Sequence, residues 1–201
     1  MEAFIRFALA NFTLTFLVLG LLAAALSWVR KPRPLAAAAV VEELFAWFLL
    51  FSIGISFFYN FVMHVFFGDL SARFIGWEQS PFQAEVGMAS LGFSAVGFLA
   101  FRGGFGLRAA AVVGPACFLL GAAAGHVYQM VVARNFAPGN AGVIFYTDLG
   151  VPAIGFTLLW LQHRLGRQPS AAGVVPGVVS SPEGSGVGKA EQGATADRPR
   201  E

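Results

Sequence analysis

Four ionisable residues, His64, Glu85, His126 and Asp148, interrupt segments that otherwise read as membrane-spanning helices. Two imidazoles and two carboxylates are an ordinary ligand set for Zn, Mn or non-haem Fe. The same groups serve as a proton relay, because a histidine and a desolvated carboxylate both titrate near neutral pH. A charge at the centre of a bilayer costs at least about 2.5–3.5 kcal/mol, so residues of this kind pair up or line a cavity. Asn60, Gln83, Gln129 and Asn140 are candidate hydrogen-bond partners for a bound ligand at the same site.

The sharper signatures are missing. There is no HExxH, no repeated Glu-x-x-His, no CxxC, no phosphate loop, no dinucleotide fingerprint and no nucleophile elbow. Histidines on two helices can hold a haem from both sides, but His64 and His126 are expected at different depths, which weakens that reading. The expectation is a divalent metal ion (Zn, Mn or Fe) or a small polar ligand, with no catalytic residue assigned and enzymatic activity left open.

The elements that position these residues follow from composition. The 201-residue chain is 57% hydrophobic and 12% charged, with a mean hydropathy of +0.69. Soluble domains carry about 25% charged residues, so a water-soluble globule is excluded. A formal net charge of only +2 gives no footprint for nucleic acid. Cys117 is the only cysteine, which rules out an intrachain disulfide.

About 20 apolar residues cross the hydrocarbon core. Five such stretches are expected, at 5–29, 41–67, 84–101, 109–133 and 143–161. The first is too long for a signal peptide and ends on the basic stop Arg30-Lys31-Pro32-Arg33-Pro34, so it reads as a retained anchor. Lys and Arg number ten in the first loop, the third loop and the C-terminal region, against three on the opposite side. The positive-inside rule therefore puts the N-terminus outside and the C-terminus in the cytoplasm. Residues 168–201 are rich in Gly, Ser, Pro and Ala and read as a disordered cytoplasmic tail.

In that orientation the polar residues fall towards the outer face, and the cytoplasmic half is expected to be mostly apolar. Asn60 and His64 are four apart and share a face of the second span. Ser80-Pro81-Phe82-Gln83 reads as a capping box, with Gln83 reaching back to Ser80. That places Glu85 roughly 7 Å into the third span, at about 1.5 Å per residue. Asn140 reads as a cap for the fifth span, and Asp148 follows about two turns inside. Trp77 and Tyr146 read as interfacial aromatics, and Gly121-x-x-x-Gly125 as a close-packing motif. Glu42 and Glu43 read as a solvated first turn facing the basic stop.

Each of these residues has a plainer reading. His126 can hydrogen-bond a neighbouring helix, Glu85 can pair with Arg73, Arg134 or a histidine, Asp148 can serve a kink at Pro152, and His64 can be hydrated at the interface. The strings Gly76-Trp77-x2-Ser80-Pro81-Phe82-Gln83-x-Glu85-Val86-Gly87 and Asn135-Phe136-Ala137-Pro138-Gly139-Asn140-Ala141-Gly142, with Tyr146-Thr147-Asp148, resemble a family of small bacterial multi-pass membrane proteins. That family is a domain of unknown function, and the likeness covers about 40–160. A looser similarity in size and helix content links the chain to DoxX-like membrane proteins.

The expected architecture is an all-α, polytopic membrane helix bundle over 1–167 in a bacterial inner membrane. Its partners are the lipid bilayer and either a second copy or a membrane partner subunit, with no nucleic acid. The leading function is an outward-facing His/carboxylate site, with redox-linked work at the outer face as its extension; the rivals are a proton-linked transporter or channel component and a non-enzymatic accessory subunit.

Overall fold

Every regular element in the computed structural model, which describes residues 1–166, is helical. The expected tail at 168–201 lies outside the described residues. Helix α1 (Glu2–Ala10) and α2 (Phe12–Val29) replace the single span expected at 5–29. The break falls at Asn11 (φ −116°, ψ 42°), whose Nδ2 donates to the Phe7 carbonyl at 2.8 Å. A short amide that bonds its own backbone competes with the helical ladder, and hydropathy does not register it.

The second span is one 30-residue run made of α3 (Ala37–Phe48), a π-helical segment (Leu49–Ile55) and α4 (Ser56–Phe66). Short α5 (Gly68–Ile75) follows and stops at Gly76, whose φ of 76° suits glycine. Next come α6 (Phe82–Ala100), α7 (Phe105–Val132), one-turn α8 (Pro138–Ala141) and α9 (Val143–Gly166). Five helices are long and apolar enough to cross a membrane, which fits a membrane protein. Many large apolar side chains face outward, including Leu22, Leu99, Val131 and Trp160, as a lipid-solvated surface requires.

The tightest contact joins α4 and its π segment to α6. A Cβ on Gly97 would stand 2.5 Å from the Gly54 nitrogen, and one on Gly87 would stand 3.3 Å from the Phe61 carbonyl. Between them Ser94 Oγ donates to the Gly54 carbonyl at 2.8 Å, and Asn60 Nδ2 donates to Ser90 Oγ at 2.9 Å. Gly87, Ser90, Ser94 and Gly97 thus form one small-residue face on α6, the device by which membrane helices approach closely. The expected motif, Gly121-x-x-x-Gly125, does not play that part. Among the described residues, Gly121 has nothing within 4 Å of where its Cβ would be, and Gly125 meets only the Trp77 ring, at 3.5 Å.

An apolar layer of Phe45, Phe48, Leu49, Ile53, Phe57, Val112, Leu119, Val151 and Leu158 fills the middle of the bundle. Within it Ile53, Pro115 and Pro152 border a crevice with no room for a water-sized sphere. Polar side chains gather at both ends of the bundle, which corrects the expectation of an apolar half.

Candidate functional site

The turn after α7 builds the end that carries His126. Arg134, with a left-handed φ of 53°, redirects the chain over α5. Asn135 then donates to the carbonyls of Ile75 and Gly76 at 3.0 and 3.1 Å, and accepts from the Ala137 N–H at 3.0 Å. Gly139 presses against α5 so closely that a Cβ would lie 2.8 Å from the Phe74 carbonyl.

These contacts seat Asn140, which is 0% exposed. Its Nδ2 donates to the carbonyls of Asn135 and His126 at 2.9 and 3.3 Å. Its Oδ1 accepts from the Trp77 indole N–H at 3.0 Å. An indole nitrogen only donates, which fixes the amide atom it meets as oxygen. His126 Nδ1 lies 2.8 Å from that same oxygen, so Nδ1 carries a proton and donates.

The other ring nitrogen meets a carboxylate. His126 Nε2 stands 3.5 Å from Asp148 Oδ2, with both side chains buried. With Nδ1 protonated, a neutral ring presents only a lone pair at Nε2, and a lone pair against a carboxylate is repulsive. One proton therefore belongs between Nε2 and Oδ2, on either the imidazole or the acid. At that separation, long for a hydrogen bond, the proton resides on one partner instead of being shared. Trp77 covers the pair, its ring centroid 5.7 Å from that of His126. Beside it, the Thr13 and Thr147 hydroxyls, 2.7 Å apart, tie α2 to α9.

The remaining expected site residues lie elsewhere. His64 Nδ1 is hydrogen-bonded to Gln83 Oε1 on α6. Glu85 is exposed and makes no ion pair or hydrogen bond among the described residues, and the Gln129 side chain makes no hydrogen bond among them either. No three His, Cys, Asp or Glu side chains among the described residues are placed to hold a metal ion. With Nδ1 committed to Asn140, His126 and Asp148 offer one nitrogen and one carboxylate. Of the four residues expected to form one site, the structure brings only His126 and Asp148 together.

Three local readings change with it. The capping box does not form, because Ser80 N–H donates to Gln79 Oε1 at 3.0 Å while Gln83 turns to His64. Asn140 is the hub of the cluster instead of a cap, and Trp77 is its donor instead of a free interfacial aromatic. Gly76-Trp77 and Asn135 to Gly142 are two halves of one contact, a pairing that no spacing in the sequence announces.

The opposite end holds an ionic cluster. Arg108, 1% exposed, forms a bidentate pair with Glu42 at 2.6 and 2.7 Å. It also donates to the carbonyls of Ala100 and Phe101 and lies over the Phe45 ring. Glu43, 4% exposed, meets Lys31 at 3.0 Å, Arg102 at 3.2 Å and the Trp47 indole N–H at 3.0 Å. Gln162 of α9 reaches Glu42 at 3.3 Å. The expected solvated first turn is in fact a knot joining α3, α7, α9 and two loops, with Arg108 its unforeseen centre.

These features define a polytopic α-helical membrane protein with a neutral amide–imidazole cluster at one end and an ionic one at the other. The chain belongs to a family of unknown function (DUF6790), whose family model matches residues 10–168. The match takes in α2, which the resemblance over 40–160 left out. Comparison with curated proteins and with solved structures finds no match.

Proposed function

We propose an integral inner-membrane protein, N-terminus outside and C-terminus cytoplasmic, whose outer end holds a buried proton-exchanging pair, His126 and Asp148, that serves a small polar ligand. The observation that supports this reading is Asn140 Oδ1, which meets both the Trp77 indole N–H and His126 Nδ1. Asn140 commits Nδ1, so any exchange with a ligand or with Asp148 runs through Nε2. Withdrawal of Trp77 would open the pair to the outer side.

The test is 15N NMR of histidine-labelled protein in detergent, followed across pH, with Asp148→Asn alongside. A proton on Nδ1 at every pH, with a second proton at Nε2 whose uptake changes in Asp148→Asn, is the expected result. A ring protonated only at Nε2 would contradict the proposal.

One observation favours an accessory, non-enzymatic role. Asn140 spends both amide atoms inside the chain, as a purely structural hub does. On that reading, Asp148→Asn lowers thermal stability in step with any functional loss. Proton-linked transport has less support, since the apolar middle layer lies between the two polar ends.

A further inference from the structure

Beside the site, between the end of α4, the short helix α5 and the loop before α6, lies an open concavity of about 410 Å³. That is within the usual size of small-ligand sites. Its lining includes Asp69 and Arg73, four apart on α5. Opposite charges at that spacing on a helix normally pair. Here they do not: no ion pair joins them, and Arg73 makes no hydrogen bond or ion pair among the described residues.

The cause is Gln79. Its Nε2 donates to Asp69 Oδ1 at 2.8 Å, and its Oε1 accepts from the Ser80 N–H at 3.0 Å, so the amide is held from both sides. Gly68 makes the room, because a Cβ there would stand 2.7 Å from Gln79 Nε2. Asp69 is turned aside with one oxygen unused, and Arg73 keeps its guanidinium free. The result is a separated carboxylate and guanidinium on one concave wall. Phe67 and Leu70, each about half exposed, complete the lining with apolar surface.

We propose that this concavity binds a zwitterionic phosphoethanolamine group, the ammonium against Asp69 and the phosphate against Arg73. Guanidinium is the better side chain for phosphate, and a primary ammonium supplies the donors that the free carboxylate oxygen accepts. The group reaches the site as a lipid headgroup or as soluble phosphoethanolamine. This site is independent of the His126–Asp148 pair and of its proposed role.

The experiment is native mass spectrometry of the full chain in detergent, titrated with phosphatidylethanolamine, phosphatidylcholine or phosphatidylglycerol, and separately with free phosphoethanolamine. We expect phosphatidylethanolamine to bind at least fivefold more tightly than either other lipid. Asp69→Asn should remove that preference, Arg73→Gln should weaken binding of all three lipids through the phosphate they share, and Gln79→Ala should weaken the preference. Displacement of the lipid by free phosphoethanolamine would identify the soluble group as sufficient; no displacement would identify the lipid as the source. Equal binding of the three lipids, a preference unchanged in Asp69→Asn, or lipid binding unchanged in Arg73→Gln overturns the proposal. All variants should keep the wild-type melting profile, since the side chains changed are exposed.

Discussion

At the scale of single residues, Asn140 carries more of the structure than its type announces. Hydrogen bonds between membrane helices average about 0.6 kcal/mol each. Asn140 makes four, to Trp77, His126 Nδ1, the His126 carbonyl and Asn135. Asn140→Ala should therefore lose about 2–3 kcal/mol, read as a fall in the thermal midpoint in detergent. It should also free the His126 tautomer, visible in the 15N spectrum. Glu85→Ala, by contrast, should stay within about 0.5 kcal/mol of wild type, the range of an exposed side chain without partners. The same rule, an ionisable residue in an apolar run, selected Glu85, His126 and Asp148 from the sequence. It separates them by depth but not by direction around the helix, and direction is what leaves Glu85 out. Asn140 was legible as a polar residue in a turn; that its partners were Trp77 and His126 was not, because those contacts span sequence separations that spacing rules do not reach.

At the scale of elements, hydropathy located all five long helices, since length and apolarity are what a bilayer demands. It merged α1 with α2 and missed α5 and α8, which are too short or too polar to register. Glycine spacing misled at α7 for a related reason. A GxxxG pattern reports small residues on one face, and whether another helix lies against that face is a tertiary fact. The two glycine faces give opposite expectations. Gly97→Ala drives a methyl to 2.5 Å from the Gly54 nitrogen, which is backbone and cannot turn aside. That overpacking should cost about 1–3 kcal/mol or more. Gly121→Ala meets nothing within 4 Å and should be neutral or stabilise by up to about 1 kcal/mol through helix propensity. Urea or SDS unfolding of the two variants beside wild type decides the matter, and equal losses would refute the assignment of the packing face.

At the scale of the whole molecule, the proposed orientation rests on charge counts and is open to direct measurement. In a Cys117→Ala background, an impermeant maleimide added to intact cells should label Glu78→Cys and spare Gly104→Cys until the membrane is opened. The reverse pattern would invert the topology and place the Asn140 cluster in the cytoplasm. The ionic end has its own expectation. Removing one partner of a buried pair typically costs about 3–5 kcal/mol, and the partial exposure of Glu42 lowers this to about 2–3 kcal/mol for Glu42→Ala. The double variant Glu42→Ala, Arg108→Leu should recover part of that loss in a thermal double-mutant cycle, because it no longer strands a buried guanidinium.

The two ends are fastened by different physics, and ionic strength tells them apart. Lys31 and Arg102, with side chains 36% and 51% exposed, contact Glu43 directly from the solvent side, where salt can enter. At 1 M salt the screening length shrinks to about 3 Å, while the neutral bonds around Asn140 feel little of it. Concentrated salt should therefore unzip the bundle from the Glu43 end. Amides near Lys31 and Arg102 would exchange with solvent first, and those of 135–142 would keep their protection.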